Sequence, residues 1–138
     1  MPSLLADKSA LARHLTRVEV REVLDPLIAD GELAVCGIVE LELLYSATSP
    51  ANYQAYAASL AAMPRVEVGE KAVRRALEVQ AMLAGRSRHR GASIPDLLIA
   101  ACSELAGLTV VHYDADFERI AEQTGQPTRW VVPRGSVS

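Results

Sequence analysis

The stretch Gly107-Leu108-Thr109-Val110-Val111-His112-Tyr113-Asp114-Ala115-Asp116-Phe117 decides the fold. Its centre, Thr109 to His112, is rich in β-branched residues, follows a glycine suited to closing a helix, and leads at once into polar residues that open another. It therefore reads as a strand between helices, with Asp114-Ala115-Asp116 starting a helix over Phe117 to Gln123. The alternation continues outward. Upstream, Ile94-Pro95-Asp96 opens an apolar helix through Leu105, with proline at an early helical position and Gly107 as the stop. Before it lie a basic loop, Arg86-Ser87-Arg88-His89-Arg90-Gly91, and a strongly helical stretch from Glu70 to Ala84. Val66 to Val68 reads as a strand or a link, and Asn52 to Ala62 as an alanine-rich helix closed by Pro64. Ile38 to Ala47 reads as a helix ended near Ser49-Pro50, and Leu33 to Cys36 as a short strand before it. Val18 to Ala29 has helical apolar spacing, with Pro26 expected to kink or interrupt it. Leu4 to Ala6 is a brief buried strand whose following helix Asp7 or Ser9 can cap, and Arg129 to Val132 is the last strand. Strands separated by helices imply a parallel sheet covered on both faces, a three-layer α/β/α sandwich. Residues 1–132 are expected to form a single domain, with 133–138 a short polar C-terminal tail.

Length and composition agree with that organisation. The chain has 138 residues, half of them hydrophobic, which suits one compact domain with a real core. No apolar run approaches the roughly 20 residues of a membrane span. Met1 to Ala6 lacks a basic segment and does not read as a signal peptide, so a cytoplasmic location is expected. Cys36 and Cys102 are isolated in apolar surroundings, as small core residues are. With 14 Lys and Arg against 17 Asp and Glu, the net charge of -3 counts against simple electrostatic attraction to nucleic acid.

The acids are placed unevenly. Asp7 and Asp114 follow the C-terminal ends of expected strands, Asp116 lies two residues further on, and Asp96 opens a helix. In an open parallel sheet the crevice beyond the strand C-termini is where ligands bind. The helix after the second strand adds Glu40 and Glu42; two residues apart, they point different ways, and only one can face that crevice. Glu42, flanked by Leu41, Leu43 and Leu44, is the expected inward carboxylate, and Glu40 the solvated one. Two carboxylates about 5 Å apart repel by roughly 3 kcal/mol at an effective dielectric near 20, so such a cluster demands a cation. Without a neighbouring His or Cys pair the donors are all oxygen, which suits Mg²⁺ or Mn²⁺ rather than zinc. Ions of this kind, with open water positions, activate water and stabilise charge on a phosphate during in-line displacement.

Blander roles compete for each residue alone. Asp7, Asp96 and Asp114 each suit helix capping, though capping does not require them all at strand ends. Ser9 suits a cap or a hydroxyl that fixes a metal-bound water, and His112 a strand end rather than a ligand. Tyr45, Tyr53 and Tyr56 suit packing or dimer contacts. Arg86, Arg88 and Arg90 suit either a solvated loop or a phosphate-facing one. A haloacid-dehalogenase-like phosphatase needs an acid where Ser9 stands, and a receiver domain needs a late lysine, whereas the only lysines are Lys8 and Lys71.

In this order, "LLADKSAL", "LAVCGIVELELLYSA" and "IPDLLIAACSELAGLTVVHYDADFERIA" resemble the PIN-domain family and, within it, the VapC toxins of bacterial toxin–antitoxin pairs. The resemblance covers nearly the whole chain and implies a metal-dependent, single-strand-selective endoribonuclease that cleaves tRNA, rRNA or mRNA and so arrests translation and growth. It places Asp7, Glu42, Asp96 and Asp114 as the catalytic metal-binding acids, with Asp116 completing a second metal position and Ser9 supporting Asp7. It implies Mg²⁺ (or Mn²⁺) as cofactor, homodimers, and a cognate VapB-like antitoxin in a hetero-oligomer, with Arg86, Arg88 and Arg90 tracking the RNA backbone. His112 stands where a small hydroxyl residue is common and Cys36 where Ser is frequent, departures that spare every acid. The alternative is a non-catalytic PIN-like protein that binds RNA or a partner; its groove should be neutral or basic. Setting the five candidate ligands aside leaves 12 acids against the 14 bases, so the rest of the chain is slightly positive.

Overall fold

The computed structural model describes residues 1–138. Five strands, β1 (Leu4–Ala6), β2 (Leu33–Cys36), β3 (Arg65–Val66), β4 (Thr109–His112) and β5 (Thr128–Trp130), form one sheet in the order β3-β2-β1-β4-β5. Every pairing is parallel, with Leu5 opposite Ala34 on one side and Val110 on the other. β1 and β2 are apolar and buried throughout, and β4 is buried from Val110 to His112, because both sheet faces are covered. The edges are short, two residues in β3 and three in β5, which leaves little unpaired backbone to recruit another chain.

Seven helices join the strands: α1 (Lys8–His14), α2 (Val18–Ala29), α3 (Gly37–Tyr45), α4 (Pro50–Ala61), α5 (Glu70–Ala84), α6 (Ile94–Ala106) and α7 (Asp116–Thr124). From β1 the chain steps outward through β2 to β3, then crosses back to β4 and β5. The reversal of direction groups α1 to α4 on one face and α5 to α7 on the other. The core runs through the sheet and both layers, and Leu5, Leu33, Val35, Ile99, Val110 and Phe117 are wholly buried.

Several boundaries differ from the sequence reading. Pro26 lies inside α2 without ending it, because both Pro26 and Glu22, whose carbonyl loses its partner, are exposed to water. Ser49 and Pro50 start α4 rather than merely stopping α3, with the Ser49 side chain accepting the Asn52 N–H. Cys36 and Cys102 are both buried but not isolated: β2 and α6 bring the thiols near one another, and that proximity with burial pushes the Cys102 thiol up, keeping it protonated. The tail folds back. Tyr113 Oη donates to the Val137 carbonyl (2.8 Å) and accepts the Val137 N–H (3.2 Å). No helix is long and apolar enough to cross a membrane.

Phe117 is the largest fully buried side chain. Phe117→Ala is expected to lower unfolding stability by about 3–5 kcal/mol, while Leu105→Ala, on an exposed face, costs less than about 1 kcal/mol. Denaturant titration of the two variants checks both.

Candidate metal centre

The strand order reverses between β1 and β4, and the crevice beyond their C-terminal ends is where the acids meet. Asp7 follows β1 directly and its N–H donates to the Val111 carbonyl (2.9 Å), which pins it beside β4. One carboxylate oxygen, Oδ2, caps α1 by accepting the Ser9 N–H (2.9 Å) and also accepts the Ser9 hydroxyl (2.5 Å). The other, Oδ1, is buried with no hydrogen-bond partner. Capping by one oxygen thus leaves the other oxygen of the same side chain free for a ligand. Ser9 Oγ also accepts the Tyr113 N–H (2.8 Å), tying the start of α1 to the loop after β4.

Asp96 is not a cap. Ser93 takes that place, its hydroxyl accepting the Asp96 N–H (3.2 Å). In a full capping box the acid at the third helical position reaches back to the cap residue's N–H. Here the Ser93 N–H donates to Asp116 Oδ2 instead (3.0 Å), and the Asp96 carboxylate is free to face the crevice, 5% exposed as a residue. Asp114 Oδ1 accepts the Asp116 N–H (2.9 Å) at the start of α7. The Asp114 N–H donates to Nδ1 of His112 (3.1 Å), whose buried ring stacks on Phe117 and leans on Trp130. Burial pushes His112 down to about 4, so the ring is neutral and serves to place the Asp114 backbone.

Glu42 points inward from α3 with Oε1 buried and unpartnered. Its flanking leucines do not explain this, since Leu41 is 69% exposed; the helix phase does, with Glu42 one turn after buried Val39. Glu40 is not the solvated acid that was expected: its side chain is 16% exposed and accepts a hydrogen bond from Arg65 (2.7 Å).

Oxygens of Asp7, Glu42 and Asp96 lie within 4.8 Å of one another, as do oxygens of Asp96, Asp114 and Asp116. Asp96 belongs to both groups, and neither contains a nitrogen or sulfur donor. Burial and then the charge of Asp7 push Asp96 up to about 9, and its hydrogen bond with Asp116 acts the same way. Asp7 is raised chiefly by burial, and Glu42 by burial and then by Asp7. A buried, all-oxygen set with two orphaned carboxylate oxygens and mutually raised acids fits a hard divalent cation.

The expected arginines lie to one side. Arg88 and Arg90 line an open polar depression with Arg119 and Glu122, whereas Arg86 lies outside it. Arg88 pairs with Glu122 (3.8 Å), and Arg119 pairs with Asp116 (3.2 Å), so Arg119 connects the depression to the acids. Sequence reasoning missed Arg119, Ser93 and Arg13. The signals were present: Arg119 is three residues after Asp116 on one helix face, Ser93 opens a Ser-x-x-Asp pattern, and Arg13 is four residues after Ser9.

Residues 4–123 match the PIN domain family model. The chain belongs to the PIN-domain family. It is also similar to ribonuclease VapC51 of Mycobacterium tuberculosis, 46% identical over 133 residues that cover 96% of each chain. Ribonuclease VapC18 of the same organism is 46% identical over 127 residues, covering 90% of this chain and 92% of the relative. This PIN domain therefore sits in the VapC branch. Among solved structures, a chain of the DNA-bound VapBC complex from Salmonella typhimurium superposes with a TM-score of 0.79 at 19% identity, covering 96% of this chain and all of that one.

The raised carboxyl of Asp96 has a signed consequence in buffer without divalent ions. The folded protein keeps the proton up to about pH 9, while the unfolded chain releases it near 3.8, so this group's contribution to stability is full below about pH 4 and lost as pH rises toward 9. Asp96→Asn cannot ionise. It is expected to melt above the wild type at pH 8 without metal, with the gap closing below pH 4. Equal melting temperatures at pH 8 would contradict this account of the site.

Proposed function

We propose that this PIN domain, over residues 1–132, is a metal-dependent endoribonuclease and the toxin of a bacterial toxin–antitoxin pair. It cleaves single-stranded regions of tRNA, rRNA or mRNA in the cytoplasm and thereby stops translation and growth. The observation that carries this reading is the convergence of five carboxylates in the crevice where the strand order reverses, two of their oxygens buried without partners. The names of the VapC relatives, at 46% identity over most of the chain, supply the substrate class.

In this reading Asp7, Glu42, Asp96 and Asp114 hold Mg²⁺, or Mn²⁺ in its place, and Asp116 completes a second position. Such an ion supplies the Lewis acidity that neutralises the phosphate and makes water nucleophilic at neutral pH. The chain's own residues do the rest. Ser9 holds Oδ2 of Asp7 so that Oδ1 faces the crevice, and Ser93 and Arg119 fix the two oxygens of Asp116. Arg86, Arg88 and Arg90 follow the RNA backbone, with Arg119 extending their stripe toward the acids. The partners proposed are a second copy of the chain and a cognate VapB-like antitoxin. Leu41 and Tyr45, one turn apart on α3 and 69% and 93% exposed, offer apolar surface beside Glu42 for such contacts.

Purified protein incubated with single-stranded RNA and Mg²⁺ tests the activity. Cleavage is expected to stop with EDTA and to fall by about 10²-fold or more in Asp96→Asn; cleavage that survives either change refutes the metal-nuclease reading. Induced expression should arrest growth, and co-expression of the small open reading frame upstream should relieve it. A separate measurement addresses the basic stripe: Arg88→Ala and Arg90→Ala should each weaken RNA binding and flatten its log–log salt dependence by about 0.7, the contribution of one single-strand phosphate contact.

A further inference from the structure

Arg13 lines the acidic cleft together with Asp7, Ser9, Glu42, Asp96, Asp114 and Asp116, yet it forms an ion pair with none of them. A flexible cation there would be captured, since opposite charges at ion-pair distance in a partly buried cleft attract strongly. Arg13 is prevented from swinging over. Its Nη1 donates to the Ser9 carbonyl (2.9 Å), and its guanidinium carbon lies 4.4 Å from the centre of the Tyr113 ring.

Tyr113 is itself fixed at both ends. Its N–H donates to Ser9 Oγ (2.8 Å), its hydroxyl makes the two bonds to the Val137 backbone, and its ring meets Trp130 edge-on at 5.3 Å. The frame therefore links residues from α1, the loop after β4, β5 and the C-terminal segment.

Stability alone does not explain why the arrangement leaves one buried donor unpaired. Nε of Arg13 is wholly buried with no acceptor. An unsatisfied buried donor opposes folding and works against the contact of the guanidinium with the Tyr113 ring and its bond to the Ser9 carbonyl. What the frame achieves is separation: a fixed positive group and a set of buried carboxylates share one cleft without neutralising each other. A ligand that satisfies both must bring a cation to the acids and an anion to the guanidinium. A phosphodiester accompanied by a divalent ion does so.

Resting on the nuclease reading above, we propose that Arg13 is a catalytic residue that donates to a non-bridging oxygen of the phosphodiester being cleaved and holds the charge that builds there. In the step it assists, a water oxygen bonds to phosphorus while the bond from phosphorus to one bridging ribose oxygen breaks. The departing oxygen gains a proton, the water loses one, and nothing is oxidised or reduced. Arg13 keeps its own protons throughout, as a guanidinium does at neutral pH. Tyr113 is the positioning residue beneath it.

The test measures steady-state cleavage of a single-stranded RNA oligonucleotide with Mg²⁺, alongside Mn²⁺ binding and thermal melting, for the wild type, Arg13→Gln and Arg13→Lys. Arg13→Gln is expected to lose kcat by ~10²–10³-fold, the range for one lost oxyanion donor, with KM changed by less than about 5-fold. Its Mn²⁺ affinity should be equal or higher, because a positive neighbour has gone, whereas a merely structural role would loosen the acids and weaken binding. Arg13→Lys should recover less than about a tenth of wild-type kcat, lacking the planar fork. If Arg13→Gln fails to fold, Arg13→Lys decides by the same criterion. A kcat within about 3-fold of wild type in the folded variant, or activity lost only in step with Mn²⁺ binding, overturns the proposal for Arg13 and leaves the nuclease reading standing. A wild type that does not cleave RNA overturns both.

Discussion

The parallel pairing of Leu4–Ala6 with Thr109–Val111 is the contact on which the rest of this molecule depends. The two strands are about a hundred residues apart in the chain, and the order of the sheet reverses between them. That reversal leaves a crevice at their C-terminal ends that no crossover helix fills. The register puts Ala6 opposite Val111, so the next residue on one side is Asp7, bonded through its N–H to Val111, while β4 runs one residue further before the loop that carries Asp114. A slip of one residue would turn β1's side chains to the opposite faces of the sheet and separate these two acids.

Gathering carboxylates at one point opposes folding, and the structure contains the opposition chiefly with backbone and hydroxyl donors, with one ion pair, Arg119 to Asp116, beside them. Ser9 supports Asp7, Ser93 supports Asp116, and the Asp116 N–H supports Asp114. Asp96, with its own N–H turned to Ser93, is pushed up by burial and by the charge of Asp7 and is shared by both oxygen clusters. The one arginine in the cleft is tied to Ser9 and Tyr113 instead of to an acid. The site is thus left electrostatically incomplete, which is the condition for tight uptake of a cation.

The strands and most helices were legible because their signals are local. β4 was marked by β-branched residues after a helix-closing glycine, and Gly107 does close α6 in the left-handed conformation, φ 71°. Asp7, Asp114 and Asp116 could be grouped because adjacency to a strand end is itself a sequence property. Glu42 was placed inward for an inadequate reason, since its neighbour Leu41 is exposed; the phase of α3 set by Val39 is what turns it. Glu40 was misjudged because its partner, Arg65, comes from β3, an edge strand of two residues with no periodic signal.

By itself the sequence determined the layered α/β class and the set of acids available at one end of the sheet, because apolar periodicity and strand-end position are written in consecutive residues. Only the tertiary structure decided which donors hold those acids apart, that Ser93 and not Asp96 caps α6, that Cys36 meets Cys102, and that Val137, Tyr113, Ser9 and Arg13 form one frame. Each of these is a contact between groups distant in the chain or a choice among hydrogen-bond partners of similar strength. Geometry settles such choices only once the strands are in register.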